Sequence, residues 1–287
     1  MKILLAIIIT ATFSFGCAIL EGEQTTTDSG GGGTTSAPTG GGESTPTAAV
    51  TGQRISAGGE AQAGGQHTCA ITANGTFQFL GSDSNGQSTV PFDLGSVSSI
   101  SAGSWFTCAI KTDGTAQCWG SGQSTMPSDL GSVSSISVGS SHTCAIKANG
   151  TAQCWGYDSN GQSTVPSDLG TVSSIKAGWF HTCLIKTDGT AQCWGYDGNG
   201  QSIVPSDLGT VSSINTRYRH TCAIKTDGTA RCWGYDGNGE SIVPADFGSV
   251  TSINDGVYHT CAIKTDGTAQ CCGKDDEGQS TVPADFQ

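Results

Sequence analysis

Residues 172–209 read VSSIKAGWFHTCLIKTDGTAQCWGYDGNGQSIVPSDLG, and this stretch recurs with small changes along most of the chain. It contains short apolar runs separated by Gly, Asp, Asn and Pro, which favour turns, and it has no helical period. The motif HTCA or a close variant begins at His67, Phe106, His142, His181, His220 and His259. The copies are 39 residues apart except for one interval of 36, where the loop after CWG is shorter. The pattern predicts six copies of one unit, each built from three or four short strands.

The hairpin sequence CAIKTDGTAQC at residues 108–118 predicts a disulfide. A three-residue turn at Thr112-Asp113-Gly114, with Gly at the left-handed bulge position, pairs Lys111 with Thr115. Counting outward from that pair places Cys108 opposite Cys118 at the closer kind of strand position, where a disulfide fits. The same spacing recurs in four later copies, as Cys144 with Cys154, Cys183 with Cys193, Cys222 with Cys232, and Cys261 with Cys271. Paired short Cys spacings of the zinc-binding kind do not occur, so we expect no metal.

Units of this size cannot bury their sheet faces alone and must stack on one another. A closed ring of small sheets removes exposed edges, which predicts an all-β protein folded as a β-propeller. The motifs HTCAIKTDG, CWG and NGQS resemble the repeats of the regulator of chromosome condensation (RCC1) family, whose blades form a propeller. We predict six RCC1-like blades over residues 48–287. The alternative is seven, because residues 48–64 could add a strand or part of a further blade.

Two departures limit what the resemblance implies about function. Members of the family commonly have seven blades, and the GQLG ending usual there is GQST or GQSI here. The nuclear member exchanges guanine nucleotides on a small GTPase and binds chromatin. This chain has a formal net charge of -12, which argues against nucleic-acid binding and against attraction to anionic lipid. We therefore expect neither nuclear partner.

The first residues have the pattern of an export signal. Lys2 precedes an apolar run that ends at Gly16-Cys17 and is too short to span a bilayer, which predicts a signal peptide over residues 1–16. The segment before Cys17 resembles the lipobox of bacterial lipoproteins, in which the Cys is lipidated; simple secretion is the alternative. Residues 17–47, rich in Gly, Ser and Thr, predict a flexible linker. We expect a protein anchored in the bacterial cell envelope through its lipid alone, or secreted.

Three cysteines fall outside the five predicted pairs. Apart from Cys17, these are Cys69, whose copy has Phe79 in place of the partner Cys, and Cys272, which replaces the Trp of other copies. Neighbouring strand residues point to opposite faces. If the Trp position faces the next blade around the ring, Cys272 meets Cys69 and the two could form a disulfide that closes the ring. The alternative is two buried free thiols.

Other repeated residues indicate structure rather than chemistry. A His that recurs once per copy is expected to be a blade-building contact. The stretches DSNGQS, DGNGQS and DGNGES begin like calcium loops but lack the terminal bidentate acid, so they predict turns. Neither G-x-S-x-G nor H-E-x-x-H occurs. We therefore expect no catalytic residues, no cofactor and no enzymatic activity.

The copies differ most just before HTC, in one loop per blade that should lie on one face of the disc. Aromatic residues and Arg are typical of binding hot spots. These positions predict a partner-binding rim at Trp105, Trp179, Phe180, Arg217, Tyr218, Arg219 and Tyr258. The alternative is packing between blades that varies freely. We interpret the chain as a monomeric binding protein for an extracellular protein or glycan. The alternatives are a secreted enzyme inhibitor or enzyme component, and a structural surface spacer.

Overall fold

The computed structural model describes residues 55–58, 67–71, 77–121 and 125–287. The predicted signal peptide, Cys17 and the linker lie outside the described residues, as do residues 48–54. The strands are β1 (Ile55–Gly58), β2 (His67–Ile71), β3 (Phe77–Gly81), β4 (Val97–Ala102), β5 (Phe106–Lys111), β6 (Ala116–Gly120), β7 (Val133–Val138), β8 (His142–Lys147), β9 (Ala152–Gly156), β10 (Val172–Ala177), β11 (His181–Lys186), β12 (Ala191–Gly195), β13 (Val211–Thr216), β14 (His220–Lys225), β15 (Ala230–Gly234), β16 (Val250–Asp255), β17 (His259–Lys264) and β18 (Ala269–Gly273). A 3-10 helix follows at Ala284–Phe286.

The described strands form six three-stranded antiparallel sheets, each made of three consecutive strands. They are blades one to six of an all-β propeller, which confirms the predicted fold class. No helix in the described part of the chain has the length and hydropathy needed to cross a bilayer.

The hairpin between the second and third strands of a blade has the predicted register. In blade four, Cys183 lies opposite Cys193. The turn is closed by Gly189 at φ +86°, a conformation that residues with a side chain rarely adopt. Asp188 Oδ1 accepts hydrogen bonds from the Thr190 backbone N–H at 2.9 Å and from its hydroxyl at 2.7 Å. The disulfide forms here and in blades two, three, five and six, as predicted.

The hydrophobic core lies between blades rather than within them. The described residues form five apolar clusters, one for each pair of successive blades. Between blades four and five, Cys183 and Ile185 pack against Val211, Ile214 and Trp233. In blades two to five, the disulfide-bearing face therefore packs against the next blade and the Trp-bearing face packs against the preceding one.

A chain of hydrogen bonds joins blades four and five, and its His–Thr contact recurs between blades one and two, three and four, and five and six. Thr221 donates its hydroxyl proton to the Gln201 carbonyl at 3.0 Å, so His181 Nε2 must donate to Thr221 Oγ1, 2.9 Å away. Trp233 Nε1 donates to the same Gln201 carbonyl at 3.0 Å. Burial, together with the neighbouring histidines, lowers the pKa of His181 to about 3. The buried histidine is thus a neutral contact between blades, in agreement with the role predicted for it.

In blades one and six, one sheet face is more exposed than the equivalent face of the inner blades. Leu80 of blade one, at the Trp position, is 58% exposed. Ile263 of blade six is partly exposed, although Ile185, at the equivalent position of blade four, is only 3% exposed. Among residues 55–58, 67–71, 77–121 and 125–287, no neighbouring blade covers these end faces as it covers each inner face.

Candidate functional site

The antiparallel register brings two sets of loop residues to one face of the disc. His181 at the start of β11 pairs with Gly195 at the end of β12. The turn that precedes β11 and the residues that follow β12 therefore leave the blade at the same edge. We call this surface the turn face; the hairpins with the TDG sequence lie on the opposite face.

Four of the predicted rim residues form a continuous row of aromatic rings on the turn face. Trp179 stacks with Phe180 at a centroid distance of 4.4 Å and with Tyr218 at 4.2 Å. Tyr218 meets Tyr258 edge to face at 5.5 Å. We call these four residues the aromatic ladder. It joins the turns of blades four, five and six, so residues some 40 positions apart in sequence become one surface.

Two tyrosines that sequence reasoning missed extend this surface. Tyr157 and Tyr196 follow the CWG motif of blades three and four, and their ring centroids lie 5.9 and 6.5 Å from that of Phe180. Both are exposed. The signal that could have found them is the Tyr that follows CWG in these copies.

Positive charge accompanies the rings. The guanidinium of Arg219 lies 4.7 Å from the ring centroid of Tyr218 and 5.7 Å from that of Trp179. The ammonium of Lys274, a residue that the sequence analysis did not select, lies 5.6 Å from the centroid of Tyr258. Lys274 also pairs with Asp276 at 2.9 Å, and the hydrogen bond to this carboxylate raises its pKa. Cation–π contacts of this kind hold the two side chains in place beside the aromatic ladder.

Trp105 occupies the corresponding turn of blade two and is partly buried. Blade three, whose turn carries Ser140 and Ser141, separates it from Trp179. Trp105 therefore lies on the same face as the aromatic ladder but is separated from it by blade three.

The turns of blades two to six converge around a cavity of about 40 Å³ at the centre of the turn face. It is lined by Ala102, Gly103, Ser104, Val138, Gly139, Ser140, Ala177, Gly178, Trp179, Arg217, Tyr218 and Val257. Adjacent turns are hydrogen-bonded, since Ser140 N–H donates to the Gly178 carbonyl at 3.2 Å and Trp179 N–H donates to the Arg217 carbonyl at 2.7 Å. A Cβ added to Gly139 would collide with the Gly178 carbonyl oxygen, which explains the Gly at this position. We call this space the axial cavity.

Arg217 breaks the pattern of these turns. The equivalent position is Gly103, Gly139, Gly178 and Gly256 in the other described turns, which align with it directly in sequence. An Arg in that position brings a cation to the axis of an acidic protein.

Buried titratable side chains lie close to this axis. Asp255 stands at the strand position held by Ala177 in blade four, and His220 Nε2 lies 3.9 Å from its Oδ1. Burial raises the pKa of Asp255 to about 8, against the opposing effects of the Cys222 backbone and of the charges on Arg217 and Lys176. Burial also lowers the pKa of Lys176.

One group of potential metal ligands occurs in the described residues. His220, Cys222 and Asp255 have ligand atoms within 4.8 Å of one another. Cys222 is bonded to Cys232, so its sulfur is not a thiolate. This leaves one imidazole and one carboxyl group, fewer than the three or four protein ligands that a zinc site uses.

The loops that resemble calcium sites use their carboxylates internally. Asp158 Oδ1 accepts from the Ser163 N–H at 2.7 Å, and its Oδ2 accepts from the Thr164 hydroxyl at 2.6 Å. This is the turn chemistry that the sequence predicted.

The predicted disulfide between Cys69 and Cys272 is wrong. Both are free cysteines and they face different interfaces. Cys69 Sγ lies 3.7 Å from Thr107 Oγ1 in blade two, and Cys272 Sγ lies 3.9 Å from the Glu240 carbonyl that follows blade five. The physical reason is the direction of stacking: the Trp position covers the preceding blade, so Cys272 points away from blade one.

Comparison with solved structures shows the fold. The ectodomain of the receptor kinase CR4 from Physcomitrella patens is 25% identical, with a TM-score of 0.68 over 80% of this chain and 66% of that chain. Human WBSCR16 is 17% identical, with a TM-score of 0.67 over 80% and 79%. Yeast RCC1 (Prp20) in its complex with Kap60 is 15% identical, with a TM-score of 0.63 over 74% and 69%. The chain thus spans slightly less than two thirds of the Physcomitrella ectodomain.

Sequence comparison gives the family. Comparison with curated proteins gives no match. The family profile described as "Regulator of chromosome condensation (RCC1) repeat" matches residues 97–124, 133–162, 172–201, 211–240 and 250–279, together more than half of the chain. Each match falls on one of blades two to six, and the chain therefore belongs to the RCC1-repeat family.

Proposed function

We propose that the protein is a binding module that presents the turn face of blades four to six to an extracellular protein or glycan. The observation that carries this proposal is the aromatic ladder, in which ring contacts run without interruption from Phe180 through Trp179 and Tyr218 to Tyr258. Aromatic residues with an adjacent Arg are the residue types that dominate binding energy at protein interfaces.

The distribution of these residues supports a site rather than general packing. Blade three carries Ser140 and Ser141 where blade four carries Trp179 and Phe180. Both kinds of turn are compatible with the same blade geometry, so folding alone does not require aromatic rings there. The ladder also links neighbouring blades, and any test of binding must therefore be paired with a measurement of stability.

We infer that the protein works outside the cytoplasm. Five disulfides support this, because structural disulfides persist in oxidising compartments. We further propose that Cys17 is lipidated and anchors the propeller through the linker of residues 17–47. Metabolic labelling with a palmitate analogue tests the anchor: label should appear on the parent and be lost in Cys17→Ser, and an unlabelled parent would favour simple secretion.

Affinity capture tests the binding face. The exported full chain and a variant with Trp179→Ala, Tyr218→Ala and Tyr258→Ala would be immobilised and exposed to envelope and host extracts. The matched control is Phe92→Ala, because Phe92 is a fully exposed aromatic residue away from the ladder, at 103% relative exposure. We expect the parent and the control to retain a partner that the triple variant loses at unchanged thermal stability.

Two outcomes would contradict the proposal. Equal capture by the parent and the triple variant would remove the ladder from the site. Capture by neither would favour the structural spacer.

A further inference from the structure

The loops that follow CWG differ between blades in one polar contact. In blade three, Asp158 Oδ2 accepts a hydrogen bond from the Thr164 hydroxyl at 2.6 Å. The same contact occurs in blades one and six at 2.6 and 2.7 Å, between Asp83 and Thr89 and between Asp275 and Thr281. A Thr six residues after the Asp therefore occupies the second carboxylate oxygen of its loop.

Blades four and five have Ile in place of this Thr. Ile203 and Ile242 are 63% and 58% exposed. Oδ1 of Asp197 and Oδ1 of Asp236 each still accept a backbone N–H of the loop at 3.2 Å. Among the residues that the structure describes, no hydrogen bond or ion pair reaches Oδ2 of either Asp. Both carboxylates are exposed, so each loop presents an unpaired oxygen and an apolar side chain to solvent. We call residues 196–203 and 235–242 the isoleucine loops.

A tyrosine packs over each isoleucine loop. A Cβ added to Gly198 would collide with the Tyr196 hydroxyl, and a Cβ added to Gly237 would collide with the Tyr235 hydroxyl. Blade three has Ser159 at this position and keeps the Thr. Two differences thus occur together in blades four and five: a Gly that leaves room for the Tyr, and the Ile that leaves a carboxylate oxygen unpaired.

Both isoleucine loops border the aromatic ladder. The ring centroid of Tyr196 lies 6.5 Å from that of Phe180, and the Tyr235 N–H donates to the Arg219 carbonyl at 2.8 Å. The loops and the ladder therefore form one continuous surface on blades four and five.

The cations of the turn face make other contacts. The Arg219 guanidinium lies 4.7 Å from the ring centroid of Tyr218, and Lys274 Nζ pairs with Asp276 at 2.9 Å. Arg217 lines the axial cavity. None of the ion pairs among the described residues involves a carboxylate of the isoleucine loops. These carboxylates are therefore available to a cation from outside the molecule.

The chemistry of the isoleucine loops selects the class of partner. An unpaired carboxylate oxygen accepts a hydrogen bond from a Lys ammonium or an Arg guanidinium. An Ile side chain has neither a flat ring on which a sugar stacks nor a group that bonds to sugar hydroxyls, whereas its contact with another apolar side chain is favourable. The net charge of -12 also speeds the approach of a cationic partner. A protein segment with basic and apolar residues therefore fits this surface better than a glycan.

We propose that the isoleucine loops bind a basic and apolar segment of a partner protein. Lys or Arg side chains of that segment pair with Asp197 and Asp236, and its apolar side chains pack on Ile203 and Ile242. The aromatic ladder extends the contact. This inference rests on the proposed binding function and names the class of partner.

A peptide-binding measurement tests it. The probe is a fluorescein-labelled peptide that repeats Lys-Val-Gly, and two matched peptides replace every Lys by Gln or every Val by Gly. Anisotropy titrations of the full chain are made at about 0.15 M salt, where attraction through distant charges is largely screened. We expect the probe to bind and both matched peptides to bind more weakly.

Two double variants locate the contact. Ile203→Thr with Ile242→Thr restores the residue of blades one, three and six and gives each Asp its hydroxyl partner, so it should fold. We expect it to weaken probe binding roughly tenfold. Asp197→Asn with Asp236→Asn should weaken probe binding roughly fivefold or more.

A matched control and a reverse variant complete the test. Asp168→Asn with Asp285→Asn removes two exposed carboxylates outside the isoleucine loops and should change affinity less than about twofold. Thr164→Ile removes the hydroxyl that occupies Asp158 Oδ2 in blade three. We expect this variant to bind the probe roughly two- to threefold more tightly than the parent. Thermal unfolding of every variant confirms that it is folded.

Several results would overturn the inference. These are absence of probe binding, equal binding of the Gln peptide, equal losses in the two Asp double variants, and unchanged affinity in the Ile double variant. Binding of a neutral oligosaccharide that the Ile double variant loses, without probe binding, would replace the protein partner by a glycan. In all these cases, loss of partner capture in the ladder variant at unchanged stability would leave the proposed binding function intact.

Discussion

His181 Nε2 lies 2.9 Å from Thr221 Oγ1 in the next blade, and the same contact recurs between His142 and Thr182 at 2.8 Å. Both residues of each pair are buried. The contact places a neutral imidazole at the interface of successive blades and commits the threonine hydroxyl to the carbonyl of the preceding loop. It is therefore a structural element of the propeller, and it can be tested by single substitutions.

Thr221→Val should destabilise the protein by about 1–3 kcal/mol, because it leaves a buried His181 N–H and a buried Gln201 carbonyl without this partner. The control is Thr68→Val at the equivalent position of blade one, which is only partly buried. Urea unfolding of both variants measures the difference. A loss for Thr68→Val as large as that for Thr221→Val would contradict the assigned contact.

Acid should destabilise the protein through its histidines. Burial lowers the pKa of His142 to about 4 and that of His220 to about 3 in the folded state, below the usual value of about 6.5. The unfolded chain therefore binds more protons, and stability falls as the pH decreases from about 6.5 toward these values. Urea midpoints should decline across this range in Asp255→Asn, which removes the opposing titration of Asp255, and a midpoint of that variant independent of pH would exclude this effect.

Asp255 should have the opposite pH dependence. Its folded pKa of about 8 lies above the usual value of 3.8, so the folded state holds the extra proton and its contribution to stability decreases as the pH rises toward 8. The groups around it are His220, Lys176 and Arg217. Asp255→Asn should therefore gain stability relative to the parent between about pH 4 and 8. An unchanged difference across that interval would show that Asp255 remains ionised.

The two free cysteines should react with an alkylating reagent slowly or not at all in the folded protein, and readily after unfolding. Burial raises the pKa of Cys69 to about 12 and that of Cys272 to about 11, which disfavours the reactive thiolate. Alkylation without reductant should leave Cys69 unmodified in the folded protein and modify both after denaturation. Peptide mapping distinguishes this result from a disulfide between them, which would resist alkylation in both states.

Substitution of a core residue should lower the free energy of unfolding more in an inner blade than in the last blade. Ile185→Ala removes a side chain packed against blade five and should cost about 2–5 kcal/mol. Ile263→Ala removes the equivalent, partly exposed side chain of blade six and should cost less than half as much. Equal losses in urea unfolding would show that the outer face of blade six is covered in solution.

The sequence by itself determined the blade and its disulfides, since these depend on local geometry. The Thr-Asp-Gly turn sets the hairpin register, and strand alternation then places Cys183 opposite Cys193. The position of the variable residues on one face also followed from the sequence, because each precedes the same strand in every copy. Pairings within some ten residues need no knowledge of the rest of the chain.

Only the tertiary structure decided how the blades meet. Which neighbour a face covers depends on the direction in which the sheets stack, and this separates Cys69 from Cys272. The stacking of Trp179 on Tyr218 and the inclusion of Tyr157 and Lys274 depend on the distance and rotation between successive blades. The axial cavity likewise arises only where the turns converge, because no single repeat contains more than one side of it.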